Sequence, residues 1–248
     1  MLLKKIITFA PVAAIVCFFG CKKLDLAPSD RFTELTFWQS NENVSNWLNT
    51  VYGGLYSSQP FFYNEALSDN AHTKLGINSG LPDAIASGNF TATLPRFEND
   101  WRFYYTGIKN CNIFLENVDK NTTLPTAMKD RMKAEARFAR AFHYFNLANW
   151  WGDVPLLQKD VTVDEAKAVT RTPKAEVIKF VLDELAAITP LLPKKEDYAA
   201  VDRGRFTRGA AIALRARVLL YEGNRMAEVV TLCEQLMNNG AQNGAYSL

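Results

Sequence analysis

The stretch Ala134–Leu157, with the sequence AEARFARAFHYFNLANWWGDVPLL, decides the fold. Its phenylalanines follow helical spacing, and three of its alanines recur every seven residues. These two sets are Phe138, Phe142 and Phe145, and Ala134, Ala141 and Ala148. Small residues allow close packing on one side and rings fill volume on the other, so this helix should be central, with partners on more than one face. We expect Gly152 to stop the helix and Pro155 to prevent its continuation.

Apolar residues at helical spacing predict further amphipathic helices before and after this segment. Ser40 is suited to cap the first of them, and Gly53 with the following glycine closes it. Thr172 is the predicted cap of the helix after the central one, with Pro173 at its first position. The predicted helices cover Val44–Leu55, Trp101–Val118, Ile178–Ile188, Phe206–Tyr221 and Met226–Met237.

The last two predicted helices, ended by Gly223 and Gly240, form one antiparallel hairpin of the tetratricopeptide type. Their expected apolar faces consist of Ala210, Ala213, Leu214, Arg217, Val218 and Tyr221 on one helix, and Met226, Val230, Cys233 and Met237 on the other. A strict period of about 34 residues is not visible, and no useful β-alternation occurs. The sequence therefore predicts an all-α fold of irregular tetratricopeptide-like hairpins.

Three stretches lack any period and are predicted to be loops. The longest, Ser57–Arg96, is rich in proline, glycine and small polar residues, and a structureless insertion of this length usually has a function. Its aromatic residues argue against a solvated, disordered tail. Gln158–Arg171 and Glu196–Arg205 are the two shorter connections.

Composition excludes some functions. The chain has 248 residues, 48% of them hydrophobic, which is enough for a sizeable core. Its formal net charge is +2, and without Lys4 and Lys5 it would be near zero. A nucleic-acid-binding protein needs a basic face, so we expect no nucleic acid partner.

Residues 1–20 have the features of an export signal, with a charged start and a 14-residue apolar run over Ile6–Phe19. Gly20 before Cys21 resembles a bacterial lipobox, which predicts lipidation of Cys21 and a membrane anchor. An ordinary signal peptide, or a membrane anchor with a chance cysteine, is the alternative. Residues 21–36 are then a tether and 37–248 the helical domain. Cys111 and Cys233 are expected to be free thiols, although export would permit a bridge.

We find no catalytic constellation in the sequence. The histidines are His72, in the long loop, and His143, which should be packed and hydrogen-bonded inside the central helix. Arg137 and Arg140 are expected to pair with acids such as Glu135 or Asp153. Glu98 and Asp100 fit helix-end stabilisers better than a hydrolase pair. Because no metal or dinucleotide motif occurs, no cofactor and no metal are predicted.

A binding surface remains as the candidate function. Rings offer sugars an apolar face, and amide or carboxylate groups bind hydroxyls. The long loop and the start of the following helix supply such residues, as do Trp150, Trp151 and Asp153; alternatively, the two tryptophans close the core. The candidate ligand-binding residues are Phe61, Tyr63, Asp69, Asn70, His72 and Trp101.

These motifs together resemble the SusD/RagB family of outer-membrane lipoproteins of Bacteroidetes. Their order and spacing over nearly the whole chain make the resemblance specific, although Phe18 stands where a lipobox usually has leucine. The matching segments are CKKLD at Cys21–Asp25, Phe37-Trp38, Val51-Tyr52, Trp101 through Asn112, EARFARAFHYFNLANWWGDVPLL, Arg171-Thr172-Pro173, Leu192-Pro193 and GRFTRGAAIALRARVLLYEG at Gly204–Gly223.

The resemblance implies a non-catalytic binder at the cell surface that captures glycans, as polysaccharides or oligosaccharides, for a SusC-like TonB-dependent transporter of the outer membrane. Alternatives are a binder of peptide or glycoprotein nutrients, a helical scaffold that holds only a partner protein, and a secreted hydrolase. Family members are usually about twice this length, so we expect a fragment whose last hairpin lacks its neighbour.

Overall fold

The computed structural model describes residues 34–55, 64–71, 81–238, 243, 244 and 246. It divides the chain into two compact units, Met1–Phe37 and Trp38–Leu248. In the first unit, the described part is the short helix Glu34–Phe37. The functional description below concerns the second unit.

The described part of the second unit is built from helices, which confirms the predicted all-α class. Six of them have more than ten residues, and they are joined by turns and shorter helices. They are α1 Asn41–Gly53, α2 Pro95–Asn117, α3 Thr126–Trp151, α4 Lys174–Ile188, α5 Arg208–Glu222 and α6 Met226–Asn238. The extended pairing between described residues is an isolated antiparallel bridge of Val154 and Thr172.

Helix α3 is the central element, as its sequence predicts. It packs against α2 on one side and α4 on the other, and it also contacts α1 and α5. The alanines Ala134, Ala141 and Ala148 are buried, and so are Phe138 and Phe145. Gly152 ends the helix with a φ of +71°, and its N–H donates to the Ala148 carbonyl at 3.0 Å. Small residues thus let neighbouring helices approach on several sides.

Local signals mark several helix ends as expected. The Ser40 hydroxyl accepts from the Asn43 N–H at 3.3 Å and caps α1. Gly223 ends α5 in the left-handed conformation, and α6 follows as its hairpin partner. Thr172 does not cap α4 with its side chain. Its backbone N–H and C=O groups pair with Val154, and Pro173 stands at the cap position. The Asp153 carboxylate instead accepts from the Lys174 N–H, at 2.8 Å, at the start of α4.

The stretches predicted as loops contain short helices. Leu81–Ala86 lies in the long insertion, and α2 already begins at Pro95, with proline at its first turn. Val163–Ala168 lies in the polar connection, capped by reciprocal bonds between Thr162 and Glu165. Short segments of this kind have few apolar positions, so their capping residues are the available signal.

The faces predicted for α5 and α6 are partly wrong. Leu214 and Val218 are buried as expected, but Ala213, Arg217 and Tyr221 are exposed. The buried side of α5 consists of Gly209, Ala211, Ile212, Leu214, Ala216, Val218 and Leu219. On α6, the side that faces the core consists of Val229, Leu232, Cys233 and Leu236, whereas Met226, Val230 and Met237 are exposed.

The buried charges pair differently from the prediction. Arg137 and Arg140 both bind Glu184 of α4, at 2.7 and 2.9 Å. The Glu135 carboxylate accepts from the Tyr52 hydroxyl at 2.8 Å and pairs with Arg205 at 3.2 Å. Each partner lies on a neighbouring element, because α3 is surrounded and its charges must be met across helix interfaces.

His143 is packed as predicted, but it is not hydrogen-bonded to any described residue. Both ring nitrogens are buried and lack a partner, and the ring lies against Gly107 of α2. Burial lowers the pKa of His143 to about 4, which keeps the ring neutral. Cys111 is buried, Cys233 is half-buried, and both are free thiols.

Candidate ligand-binding site

A cavity of about 540 Å³ lies where the start of α2 meets the end of α3. We call it the tryptophan cavity. Its described lining consists of Leu67, Ile85, Phe90, Ala92, Arg96, Phe97, Asp100, Trp150, Trp151 and Arg171. Three distant parts of the chain therefore meet here: the long insertion with the first turns of α2, the end of α3, and the residue before the Val154–Thr172 bridge.

Trp150 supplies an exposed ring to the cavity. Its side chain is 53% exposed, although it stands on the most buried helix of the fold. Trp150 lies near Tyr104: burial raises the pKa of the Tyr104 hydroxyl to about 12, and the Trp150 side chain opposes this rise. An exposed indole at the end of a buried helix offers a ligand an apolar face.

Trp151 also lines the cavity, but it packs against the core. It is half-buried, and it meets Trp101 and Tyr104 edge to face, with ring centroids 5.6 and 6.1 Å apart. The proposal that both tryptophans close the core is therefore right for Trp151 and wrong for Trp150. Together they form a platform that is open on one side and supported by aromatic rings on the other.

Arg96 fastens the long insertion to α2. Its side chain is 7% exposed, its Nε donates to Asp100 Oδ2 at 3.2 Å, and its Nη2 donates to Asn64 Oδ1. Burial raises the pKa of Asp100, and the Arg96 charge offsets this only in part. Asp100 therefore serves as the partner of a buried arginine rather than as a plain helix-end charge.

The opposite wall of the cavity is apolar and partly aromatic. Phe90 meets Phe97 edge to face at 5.6 Å, and Phe90 is itself exposed on the cavity side of the insertion. Leu67 and Ile85 complete this wall from two separate pieces of the insertion. The cavity thus combines apolar surface with two guanidinium groups and one carboxylate.

The candidate residues chosen from the sequence fall in different places. Trp101 is half-buried behind Trp151 and does not line the cavity. Asp69 and Asn70 are exposed, two and three residues after Leu67 of the wall. The remaining candidates lie outside the described residues, as does the predicted lipidation site; they are Phe61, Tyr63, His72 and Cys21.

The two arginines of the cavity were missed as site residues. Arg96 and Asp100 are four residues apart, which is the spacing of a helical ion pair, but Arg96 was assigned to the loop. Arg171 was noticed only as part of an Arg-Thr-Pro segment. The spacing of Arg96 and Asp100 and the Arg-Thr-Pro segment are both visible in the sequence. That the two arginines meet at one cavity depends on tertiary packing, which the sequence does not show directly.

Metal-binding clusters and membrane-spanning helices are absent from the described part of the chain. It contains no group of three or more histidine, cysteine, aspartate or glutamate side chains that could hold a metal ion. None of its helices combines the length and the apolar character needed to cross a membrane.

A family profile described as "Starch-binding associating with outer membrane", of the SusD-like type, matches residues 24–220. The chain belongs to the SusD-like family. The SusD-like protein P25 of Formosa agariphila is 28% identical over 224 residues, which are 84% of this chain and 42% of that protein. A SusD-like protein of Bacteroides ovatus is 25% identical over 227 residues, 87% of this chain and 39% of that protein.

Solved structures agree with this assignment. A SusD-like carbohydrate binding protein of Bacteroides fragilis matches with a TM-score of 0.75 and 31% identity, over 83% of this chain and 42% of that chain. The all-helical, tetratricopeptide-like fold of this chain is therefore that of its SusD-like neighbours. The chain spans about 42% of the length of the first of these relatives.

Proposed function

We propose that this SusD-like chain is a non-catalytic glycan-binding protein and that the tryptophan cavity is its binding site. The observation that supports this most is Trp150, an exposed ring that lines a cavity of about 540 Å³. That volume lies within the range of small-molecule sites, about 300–1,000 Å³. The relative from Bacteroides fragilis is a carbohydrate binding protein, which favours the same ligand class.

The chemistry of the platform suits a sugar ring. The axial C–H groups of a pyranose form an apolar patch that can lie on the indole face, while its hydroxyls need polar partners at the rim. Such partners are available at the edge of the platform, from the carboxylate of Asp100 and the guanidinium groups of Arg96 and Arg171. Rings on one side and polar groups at the edge are the usual arrangement of a small-ligand site.

We further propose that this glycan binder resides on the outer membrane, with the acyl chains of Cys21 as its anchor and a SusC-like TonB-dependent transporter as its partner. The family description, which associates starch binding with the outer membrane, supports the location. Multiple acyl chains would hold the protein stably at a bilayer, since each buried methylene contributes about 0.8 kcal/mol.

Affinity electrophoresis against a panel of plant, algal and host polysaccharides tests the proposed function. We expect at least one to retard the purified chain, and Trp150→Ala to weaken that binding about tenfold, which corresponds to about 1.4 kcal/mol. Tyr221→Ala is the matched control, because Tyr221 is an exposed ring of α5 that does not line the cavity.

Two results would count against the proposal. If no polysaccharide binds the folded chain, a scaffold that holds only a partner protein becomes the better explanation, and copurification with the transporter would then be the readout. If Trp150→Ala and Tyr221→Ala bind equally well, the chain binds glycans elsewhere. Release of reducing ends from any polysaccharide would instead indicate that the protein is a hydrolase.

A further inference from the structure

The tryptophan cavity has an uncompensated positive charge. Its described lining contains two arginines, Arg96 and Arg171, and one acid, Asp100. Asp100 is occupied by Arg96, at 3.2 Å, with both side chains largely buried. Arg171 is exposed and makes no ion pair within the part of the chain that the structure describes. One guanidinium group therefore faces this cavity without a carboxylate.

The backbone holds Arg171 at this position. Thr172 exchanges two hydrogen bonds with Val154, at 3.1 and 3.0 Å, which ties the residue after Arg171 to the turn that follows Trp151. Two residues further on, the Asp153 carboxylate accepts from the Lys174 N–H. Asp153, the acid closest in sequence to the tryptophans, thus binds the first residue of α4, and this bond and the bridge together fix the segment that follows Arg171.

Arg171 lies close enough to Tyr105 of α2 for its charge to act on the tyrosine hydroxyl. Burial raises the pKa of Tyr105, and the charge of Arg171 opposes this rise. The Tyr105 hydroxyl donates to the Pro155 carbonyl at 2.7 Å, and its ring lies 4.9 Å from that of Trp101. Arg171 is therefore near the aromatic layer that supports Trp151, and not on a remote part of the surface.

We infer that the cavity recognises an acidic glycan, whose carboxylate or sulfate ester binds Arg171 while a sugar ring lies on Trp150. This rests on the proposed function and specifies its ligand class. A guanidinium group offers a planar fork of N–H donors that matches the oxygens of a carboxylate or a sulfate. A neutral glycan would leave the N–H donors of Arg171 in contact with solvent. An acidic glycan would accept hydrogen bonds from them beside an apolar wall, where charge-assisted hydrogen bonds are stronger than in water.

Titration calorimetry at about 150 mM salt, where exposed charges are screened beyond about 8 Å, tests the inference. Two pairs of polymers are compared: polygalacturonate with its methyl ester, and a sulfated galactan with its desulfated form. We expect an acidic member to bind more tightly than its neutral partner, and the pair that shows this identifies the anion. Arg171→Gln should reduce the affinity for the acidic member about tenfold or more and weaken the binding of its neutral partner much less, so that the acidic preference is lost.

Arg203→Gln is the matched control, because Arg203 is also exposed but does not line the cavity. It should keep the acidic preference. Equal losses in the two variants, or neutral polymers that bind as tightly as acidic ones, would overturn the inference and leave glycan binding intact. If no polymer of either kind binds and the wider panel fails as well, the proposed function falls with it.

Discussion

Glu184 is the centre of a polar cluster that connects three helices. It lies on α4 and binds two arginines of α3, Arg137 and Arg140, and Arg140 in turn donates to Asn112 of α2 at 2.8 Å. Burial alone would raise the pKa of Glu184, but the hydrogen bonds and charges of the two arginines hold it below its usual value. The group therefore favours folding above its unfolded pKa, and this contribution is lost as the pH falls through its folded pKa.

We predict that Glu184→Ala lowers the free energy of unfolding by about 3–5 kcal/mol, because two largely buried guanidinium groups lose their counter-charge. Glu98→Ala is the control, since Glu98 also pairs with an arginine, Arg102, but both side chains are about 70% exposed. It should cost less than about 1 kcal/mol. Urea denaturation measures both; equal losses would contradict the role given to Glu184.

His143 predicts a pH dependence. Its folded pKa of about 4 lies below the unfolded value of about 6.5, because burial disfavours the charged ring. The folded state therefore binds fewer protons between these values, and stability must fall as the pH drops from 7 toward 4. The expected slope from this residue approaches about 1.4 kcal/mol per pH unit below pH 6.

Chemical denaturation at several pH values tests this, with His143→Gln to remove the slope and His72→Gln to retain it. The difference between wild type and His143→Gln isolates the histidine from carboxylates that titrate in the same range. A wild-type slope that survives in His143→Gln would show that other groups cause it.

At the scale of elements, α2 and α3 approach each other at Gly107. A Cβ atom there would lie 2.2 Å from His143 Nε2, and the His143 ring is enclosed by the core. We predict that Gly107→Ala destabilises the protein by about 1–3 kcal/mol, despite the better helix propensity of alanine. Gly53→Ala is the control, because a Cβ at Gly53 meets no atom within 4 Å. Thermal melts that show Gly107→Ala to be as stable as Gly53→Ala would contradict this close packing.

The existence of the long helices and some of their ends could be predicted from the sequence, whereas other ends and some of the buried faces could not. Ser40 and Gly223 act through local geometry, so their effect is visible in a short window of sequence. Helix α6 is apolar on two sides, through Val230 on one and Leu232 on the other. Which side is buried depends on where α5 lies, and that is set by packing between elements rather than by periodicity.

At the scale of the whole molecule, the candidate site was predicted only in part, because it is assembled from distant segments. The long insertion and the two tryptophans at the end of the central helix were expected to take part, and Trp150 does line the cavity with Phe90. Arg171 could not be placed there, because its position follows from the pairing of Val154 with Thr172. A bridge between two single residues that lie far apart in the sequence leaves no periodic signal.

The fold offers a second cavity as an internal comparison. It has about 300 Å³, lies between α3 and α5, and is lined by rings and small residues such as Phe142 and Ala213, with Arg217 as its charged group. It has apolar surface but no exposed tryptophan in its described lining. If apolar volume alone determined binding, a sugar could also lie in this cavity; the proposed function requires the tryptophan cavity instead.

The most direct test is a crystal structure of the chain with the oligosaccharide that binds it most tightly. We expect a sugar ring within about 4 Å of the Trp150 indole, at van der Waals contact, and its polar groups toward Arg96 and Arg171. An oligosaccharide seated in the cavity between α3 and α5, or anywhere away from Trp150, would contradict the assignment of the tryptophan cavity as the binding site.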